Sequence, residues 1–482
     1  MSRLKILFVV AECAPIVKTG GLGDVAGALP AELRSRGHDV RVVMPRYRPA
    51  KAVAAEKLPA PLEVPTGAGS LSSAVWRTEL AGGVPVYLLE HDALFDRGGI
   101  YGDARGEYPD NLVRYAFLSR AALALCSYLD FQPDVLHAHD WQSALVPVYV
   151  EVLGSALGLA TLPATVLTIH NLGYQGRFPA AQFPALGIGP EHLNPGFLEF
   201  FGTVNVLKGG LLAATQLSTV SPGYAQEIQT PDGGAGLDGV MRLRRGALIG
   251  ILNGIDQERW NPATDPHLPA HYDAEELAGK AECKAALQTE LGLPLRPEVP
   301  LIGLVSRFVA QKGIDVFAGS LADLLDQDLQ FAVLGAGDGG VESYFTRLTM
   351  DTPNFKARFG HQERLAHLIE AGADMFVMPS RYEPCGLSQM HSQRYGTLPL
   401  VRAVGGLKDT VEHDLSGFTF VELSGAALSG AIARAAEIYR RRPEQWRAMQ
   451  RIAMLKQMGW NRAAAQYEGL YRLAVARRAG RL

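Results

Sequence analysis

Residues 5–36 read KILFVVAECAPIVKTGGLGDVAGALPAELRSR, and this stretch decides the fold class. Its apolar run Lys5–Val10 shows little alternation with polar residues, which is typical of a strand buried on both faces. The segment Gly27–Arg36 has a 3.6-residue periodicity and predicts a helix. Between them lies the glycine-rich loop Lys18–Asp24. A strand that leads through a loop into a helix is the building unit of a parallel α/β sheet.

The same alternation continues along the chain and restarts after about residue 253. Further strands are predicted at Asp39–Met44, Val84–Leu89, Val135–His139, Thr165–His170, Leu217–Val220, Leu301–Val305, Gln330–Leu334, Phe355–Phe359, Met375–Met378 and Leu398–Arg402. Helical periodicity is found at Asn111–Tyr128, Ile314–Leu325 and Arg364–Gly372, and again from Pro443 to Arg478 with a break at Met458–Trp460. The sequence therefore predicts two α/β domains, residues 1–250 and 251–457, followed by a C-terminal helix in residues 458–482.

Composition and charge exclude several classes of partner. The chain has 482 residues and a formal net charge of −3, which gives no electrostatic reason to expect nucleic acid or an anionic membrane. Its four cysteines show no CxxC spacing, so neither a zinc site nor a pair of redox thiols is predicted. No uninterrupted apolar run of about 18 residues predicts a membrane span. A reduced, cytoplasmic protein is expected.

The loop Lys18–Asp24 has two open interpretations. Glycines let the backbone approach a ligand, the start of a helix attracts anions, and Lys18 would add a point charge, so the loop fits a phosphate site. A solvated turn uses the same glycines, and composition favours neither interpretation. The glycines follow the strand at too great a distance for a dinucleotide-binding turn.

Ligands of open parallel sheets bind beyond the carboxyl ends of the strands, so residues after each strand are candidates. His137 and His139 share a face of one strand, because strand side chains alternate. With Asp140 they would suggest a metal site, but no third ligand follows at a typical spacing, and one buried and one cleft histidine are expected instead. His170, followed by Asn171, fits either a polar wall that contacts a substrate hydroxyl or a satisfied core histidine.

In the second half of the chain, Arg307 and Lys312 follow the strand Leu301–Val305 on one loop. Two such cations can clamp a diphosphate, Arg as a planar fork and Lys as a point charge. Solvated surface residues are the alternative, and the position at a strand end favours a functional role.

Glu383 follows the strand Met375–Met378 and precedes a predicted helix. Backbone amides near Gly386 and Leu387 would there hold an anion or sugar hydroxyls. An ordinary capping acid is the alternative interpretation of Glu383. Because Glu383 lies at a strand end, between prolines and next to an aromatic residue, a role in the site is favoured.

Two further motifs suggest rival functions. Gly335–Gly340 matches GxGxxG directly after a strand, which would favour a nicotinamide-dependent oxidoreductase. The next strand, Phe355–Phe359, does not end in the acidic residue that would hold a ribose, so the glycines are interpreted as a loop near a phosphate or a turn. Asp326–Asp328 is a DxD string that precedes a strand, and solvated charge is the interpretation.

Taken together, the motifs resemble those of bacterial glycogen synthases and plant starch synthases. The matching segments occur in order along nearly the whole chain: Lys18–Asp24, His139–Trp141, Thr168–Asn171, Val220–Pro222, Glu227–Pro231, Leu252–Asp256, Arg307 with Lys312, Glu383–Ser388 and Gly405–Leu407. No single motif is specific, whereas the ordered set is.

The resemblance implies a GT-B-type glycosyltransferase fold, in which two Rossmann-like domains face a cleft and the C-terminal helix crosses back to the first domain. It implies transfer of glucose from ADP-glucose to the 4-hydroxyl at the non-reducing end of an α-1,4-glucan such as glycogen, with retention of configuration. It implies no metal and no cofactor, since ADP-glucose is a substrate, and neither nucleic acid nor membrane as partner.

The resemblance also implies roles for individual residues. Arg307 and Lys312 would bind the diphosphate, Lys18 would contact the nucleotide sugar, and Asp140 would lie near the reacting centre. The implied catalytic residues are Glu383, Arg307, Lys312, His170 and Asp140. The implied substrate-binding residues are Lys18, Gly21, Asp24, Asn171, Asn253, Cys385, Gly386, Leu387 and Ser388.

Three positions depart from the family pattern. His361 stands where the family often has a tyrosine near the adenine, Ser388 replaces a threonine, and His391 replaces a tyrosine. These changes bear on nucleotide preference more than on the type of reaction.

Overall fold

The computed structural model describes residues 3–481, which form two compact units. The first unit comprises residues 3–220, Ala225–Gly254 and residues 460–481. The second unit comprises Ser221–Tyr224 and Ile255–Gly459. None of the helices within residues 3–481 is both long enough and apolar enough to cross a membrane.

The first unit is built on a ten-stranded sheet with the order β15-β14-β10-β9-β1-β2-β6-β5-β3, in which β4 also pairs with β5. The strands of this unit are β1 Lys5–Val9, β2 Asp39–Pro45, β3 Glu56–Lys57, β4 Leu62–Thr66, β5 Gly69–Leu80, β6 Val84–Glu90, β7 Gly102–Asp103, β8 Gly106–Glu107, β9 Val135–His139, β10 Ala164–Ile169, β11 Arg177–Pro179, β12 Glu199–Phe200, β13 Thr203–Asn205, β14 Gln216–Thr219 and β15 Leu248–Gly250. The strands from β15 to β6 pair in parallel, whereas β3, β4 and β5 add antiparallel pairs at one edge.

Helices connect the parallel strands of the first unit. They are α1 Gly21–Ser35, α2 Asp92–Phe95, α3 Asn111–Tyr128, α4 Asp140–Ser143, α5 Leu145–Leu153, α6 Val206–Ala213, α8 Asp238–Leu243 and the second half of α7 Pro222–Glu227, whose first residues belong to the second unit. Every residue of β9 and β10 is buried, as expected of central strands covered on both faces.

The order of strands around β1 creates a switch point. The chain passes from β1 to β2 and β6 on one side, and β9 then returns to the other side of β1. Crossover connections that leave in opposite directions open a crevice at the carboxyl ends of β1 and β9. Residues that follow these two strands are therefore in position to bind a ligand.

The second unit is a six-stranded parallel sheet with the order β18-β17-β16-β19-β20-β21. Its strands are β16 Leu301–Phe308, β17 Gln330–Gly337, β18 Phe355–Phe359, β19 Met375–Met378, β20 Leu398–Arg402 and β21 Phe418–Phe420. Its helices are α9 Ala278–Leu291, α10 Ile314–Leu325, α11 Gly339–Asp351, α12 Glu363–Gly372, α13 Ser388–Arg394, α14 Gly405–Thr410, α15 Gly425–Arg441 and α16 Pro443–Leu455. The switch point here lies between β16 and β19, because β17 and β19 flank β16.

The last helix, α17 (Trp460–Arg478), belongs to the first unit. The Arg36 guanidinium donates to Glu468 at 3.0 Å, which fastens α17 to the end of α1. Deeper in the unit, the Tyr471 hydroxyl and His137 Nδ1 are 2.9 Å apart. The break predicted at Met458–Trp460 is confirmed, since α16 ends at Leu455 and α17 begins at Trp460.

The structure corrects the sequence interpretation at two places. The edge hairpin of β4 and β5 was not predicted, because β5 carries serine and threonine on a largely exposed face instead of a continuous apolar run. The first sheet is therefore mixed and not purely parallel. Arg307 lies inside β16 and not on a loop shared with Lys312, because the strand continues to the fully buried Phe308.

Candidate active site

Glu12, just beyond the end of β1, holds the glycine-rich loop of the first unit. This buried carboxylate accepts hydrogen bonds from Thr19 N at 2.5 Å, Thr19 Oγ1 at 2.6 Å and Gly20 N at 3.3 Å, and from the Tyr101 hydroxyl. Several donors on one carboxylate fix the backbone that leads into α1. Glu12 is not among the residues predicted from the sequence, although an acid directly after an apolar strand at a switch point was a usable signal.

Lys18 lies across the start of α1. Its Nζ is 2.7 Å from Asp24 Oδ1, and 47% of its side chain is exposed. A Cβ at Gly23 would lie 3.0 Å from Lys18 Cγ, so a larger residue there would push the Lys18 side chain aside. At Gly20 and Gly21 a Cβ would meet no described atom within 4 Å, so packing does not explain these glycines. The Gly20 amide donates to Glu12, and the open space beside Gly20 and Gly21 leaves their backbone accessible to a ligand.

Asp140 joins the ends of β9 and β10. It begins α4 with a left-handed backbone, φ 52°. Its Oδ1 accepts from His170 N at 2.7 Å and from Asn171 N at 3.4 Å. Burial raises the pKa of the Asp140 carboxyl to about 7 despite these two backbone hydrogen bonds. Both the left-handed backbone of Asp140 and the burial of its carboxylate cost free energy. Such residues are typical of functional sites.

The histidines of this region form a stack of neutral rings. His139 Nδ1 lies 3.0 Å from His170 Nε2, and the rings of His137 and His139 are 4.0 Å apart. Burial lowers the pKa of His170 to about 3 and holds the pKa values of the other two well below their ordinary value. The expectation of one cleft histidine in β9 is wrong, because both residues are fully buried in this central strand. Only His170 remains partly exposed.

Lys312 and Glu383 form a salt bridge at the switch point of the second unit. Lys312 Nζ lies 2.6 Å from Glu383 Oε2, with side chains 19% and 7% exposed. Ser380 Oγ donates to the same carboxylate oxygen at 3.2 Å. Gly313 allows this approach, because its φ is 65° and a Cβ would lie 1.9 Å from Pro379 O. The turn after β16 therefore packs directly on the turn after β19.

Arg307, near the end of β16, has a guanidinium that is available to a ligand. Its side chain is exposed, and within residues 3–481 no group forms a hydrogen bond or ion pair with its guanidinium. Arg381, after β19, differs in this respect, because it donates to both carboxylate oxygens of Asp315 at 2.6 Å. Of these two arginines, Arg307 is the one available to an anionic ligand.

The turn between Glu383 and α13 is fixed from several sides. Ser221 Oγ, in the short segment that the second unit takes from the first half of the chain, donates to Pro384 O at 2.6 Å. Gln389 Nε2 donates to Cys385 O at 3.1 Å and to Gly386 O at 2.9 Å. Gly386 has φ 72°, a conformation that favours glycine. Ser221 lies in a segment that resembles the family, but its contact with Pro384 was not predicted from the sequence.

The remaining predicted residues fall at recognisable positions. Leu387 precedes α13, which begins at Ser388, and Cys385 is a buried thiol. Asn253 is buried, and its Oδ1 has no hydrogen-bond partner in the described part of the chain. His361 is exposed between β18 and α12.

The rival motifs have structural explanations. A Cβ at Gly335 would lie 2.0 Å from Ser306 O, so packing between β16 and β17 requires this glycine. The Asp338 carboxylate caps α11 and accepts two of its first amides at 2.9 and 3.0 Å, where a dinucleotide phosphate would bind. In the DxD string, Asp328 is half exposed and pairs with Arg296, as expected of solvated charge.

Two α/β units, each with an open, largely parallel sheet and charged side chains at its switch point, have the fold of a GT-B-class glycosyltransferase. The starch synthase catalytic domain family matches residues 5–243, and the glycosyl transferases group 1 family matches residues 292–451. The chain belongs to the glycogen synthase family. The fold, the family and the glycosyltransferase activity predicted from the sequence are thereby confirmed.

Similar proteins cover the chain from end to end. A glycogen synthase of Anaeromyxobacter dehalogenans is 49% identical over 97% of this chain and 99% of its own length. Glycogen synthase 1 of Geobacter metallireducens is 46% identical over 100% and 98%. The catalytic domain of starch synthase IV from Arabidopsis thaliana, solved bound to ADP and acarbose, has a TM-score of 0.90 and 33% identity, covering 98% of this chain and all of its own.

Proposed function

We propose that this chain transfers glucose from ADP-glucose to the 4-hydroxyl at the non-reducing end of an α-1,4-glucan, with retention of configuration and without a metal ion. The proposal rests on the Lys312–Glu383 salt bridge at the switch point of the second sheet. It rests also on Arg307 near the end of β16, whose guanidinium is available to a ligand. ADP as the leaving group is supported by the similar plant starch synthase, which was solved bound to ADP.

The charges of the second unit suit the departure of a diphosphate. Breaking the bond between the anomeric carbon and the phosphate oxygen places negative charge on the leaving group and positive charge on the sugar ring. Arg307 and Lys312 would stabilise the leaving diphosphate, as a metal ion does in other transferases. Glu383, held by Lys312 and Ser380, would orient sugar hydroxyls and favour positive charge on the ring.

Retention follows if the acceptor attacks from the face that the diphosphate leaves. The acceptor 4-hydroxyl then forms the new bond to the anomeric carbon, and its proton passes to the departing phosphate oxygen. Of the predicted catalytic residues in the second unit, only Glu383 carries a carboxylate. This carboxylate is paired with Lys312. The pair of close carboxylates that a retaining hydrolase uses is not needed for this route.

The first unit would contribute binding groups. Lys18 and the open backbone at Gly21 would bind the anionic donor. Asp140 would accept a hydrogen bond from a sugar hydroxyl, since its Oδ1 is occupied by backbone amides and its Oδ2 has no partner within the described residues. We further propose that the enzyme acts in the cytoplasm, which its four buried free thiols fit.

The proposal is tested by incubating the purified chain with glycogen and radiolabelled ADP-glucose in the presence of a metal chelator. Label should enter the polymer and be released by an enzyme that cleaves only α-1,4 linkages. Absence of incorporation when free glucan ends are present would refute the proposed reaction. Label that resists α-1,4 cleavage would refute the proposed α-1,4 product, and loss of activity with the chelator while the fold stays intact by circular dichroism would refute a metal-independent reaction.

A further inference from the structure

Three side chains of the second unit outside the proposed catalytic set converge on one point. His267, Glu363 and His367 each offer a ligand atom, and these atoms all lie within 4.8 Å of one another. Glu363 and His367 stand four residues apart on α12, so both project from one face of this helix. His267 comes from the irregular segment that precedes α9. Two imidazoles and one carboxylate form a donor set that suits Zn²⁺.

Asp265 orients the two histidines. Its Oδ2 lies 2.7 Å from His367 Nδ1 and accepts from the Tyr395 hydroxyl at 2.5 Å, while its Oδ1 accepts from His267 N at 2.9 Å. With Asp265 Oδ2 as the acceptor of this hydrogen bond, the proton of His367 lies on Nδ1. The lone pair of His367 Nε2 is then free, as in carboxylate–histidine–metal arrangements.

The free nitrogen of His367 is buried without a partner. The residue is 1% exposed, and no group in residues 3–481 forms a hydrogen bond with its Nε2. A buried acceptor with no donor is unfavourable, because it has lost its hydration and gained nothing in return. A purely structural role needs only the Nδ1 bond to Asp265 and the stacking of Trp260 on the imidazole at 3.9 Å. A purely structural role does not explain why His367 Nε2 has no partner, whereas coordination of a metal ion by Nε2 does.

The third ligand is accessible. Glu363 is exposed, and its Oε1 pairs with Arg259. An ion that binds Glu363 must displace Arg259, whose side chain is 52% exposed and can turn into solvent. Because exposed ion pairs contribute little to stability, this exchange opposes metal binding only weakly.

We propose that His267, Glu363 and His367 form a site for a divalent transition-metal ion, with Zn²⁺ as the best fit. Three protein ligands leave a fourth position for water. The ion ties the segment around His267 to the first turns of α12 and plays no part in glucosyl transfer. Its role is to stabilise this part of the second unit.

The test is titration of the metal-stripped, full-length chain with Zn²⁺ by calorimetry. One ion per chain should bind, and His267→Ala should weaken binding at least about 10-fold, since loss of even an orienting partner has that effect. Glu363→Gln should weaken it as well. His267 is half buried and Glu363 is exposed, so both variants should fold, whereas the buried His367 is a poorer target. His192→Ala is the matched control, because His192 lies 3.4 Å from Glu191 in a surface pair of the first unit.

A second readout uses Co²⁺ in place of Zn²⁺. Bound Co²⁺ should give visible absorption typical of nitrogen and oxygen ligands and should quench the fluorescence of Trp260, which stacks on His367. Both signals should be lost in His267→Ala and kept in His192→Ala. The proposal is overturned if the wild-type chain shows no saturable binding, or if His267→Ala binds as tightly as the wild type.

Discussion

Replacing Asp140 by Asn should stabilise the protein at alkaline pH and leave it almost unchanged in acid. The variant keeps an oxygen that accepts the backbone hydrogen bonds from His170 and Asn171, and Asn tolerates the left-handed backbone of this position. What it removes is the charge of a buried carboxylate. The experiment therefore measures how much stability the fold gives up to keep that charge.

The expected magnitude follows from the pKa of Asp140. Burial raises this pKa from 3.8 to about 7 in the folded chain. Between these pH values the folded chain holds a proton that the unfolded chain has released, so stability falls as pH rises and levels off above about pH 7. At about 1.4 kcal/mol per pH unit, the loss amounts to about 4 kcal/mol. Asp140→Asn should therefore gain about 4 kcal/mol over the wild type at pH 8 and almost nothing at pH 4.

Urea unfolding of both proteins at pH 4 and pH 8 gives the difference directly. Asp273→Asn is the control with opposite sign, because backbone hydrogen bonds from Glu276 and Glu275 lower the pKa of Asp273. That variant should lose stability relative to the wild type as pH rises. The reasoning about Asp140 is refuted if the gain from Asp140→Asn is the same at both pH values or larger in acid.

Three further substitutions test the second unit. Glu383→Ala should lower kcat by about 100- to 1,000-fold with the fold intact, and a normal kcat would remove Glu383 from the chemistry. Lys312→Ala should raise the Kd for ADP about 10-fold and lower kcat as well, whereas unchanged ADP affinity by calorimetry would contradict the diphosphate clamp. Gly313→Ala should destabilise the chain by about 3 kcal/mol or more through backbone strain and the clash with Pro379 O. Gly37→Ala, at φ 96° with open space around it, should cost only about 1–2 kcal/mol, and equal losses in urea unfolding would refute the packing argument.

Much of the fold could be predicted because buried parallel strands have a simple signature. The predicted bounds of β9, β18, β19 and β20 match those of the structure, and β19 is a continuous apolar run. The exposed hairpin of β4 and β5 lacks such runs, since only one of its faces is buried. The end of β16 was misplaced because Ser306 and Arg307 are polar, although cross-strand pairing continues through them to Phe308.

The residues of the candidate site could be predicted from the sequence, but the contacts between them could not. The strand-end rule located Asp140, Arg307, Lys312 and Glu383, because ligands of parallel sheets bind there. Nothing in the local sequence shows that Lys312 contacts Glu383, since strands β16 and β19 become neighbours only through the crossover topology. The roles of these residues, and the cleft expected between the domains, stay predictions.

The hydrogen-bond partners of Glu12 and His367 could not be predicted from the local sequence pattern. Glu12 binds donors as far apart in the chain as Thr19 and Tyr101. His367 meets Asp265 and His267 through an irregular segment that has no periodicity to interpret. Contacts of this kind depend on how loops pack, which propensity and spacing do not encode.

The central claim is that this chain builds α-1,4-glucan from ADP-glucose. The most direct test compares the initial rates of glucose incorporation into glycogen from ADP-glucose and from UDP-glucose at equal concentrations, with Glu383→Ala as the inactive reference. We expect rapid incorporation from ADP-glucose, slower incorporation from UDP-glucose and almost none with the variant. A preference for UDP-glucose, or equal incorporation by the variant and the wild type, would contradict the central claim.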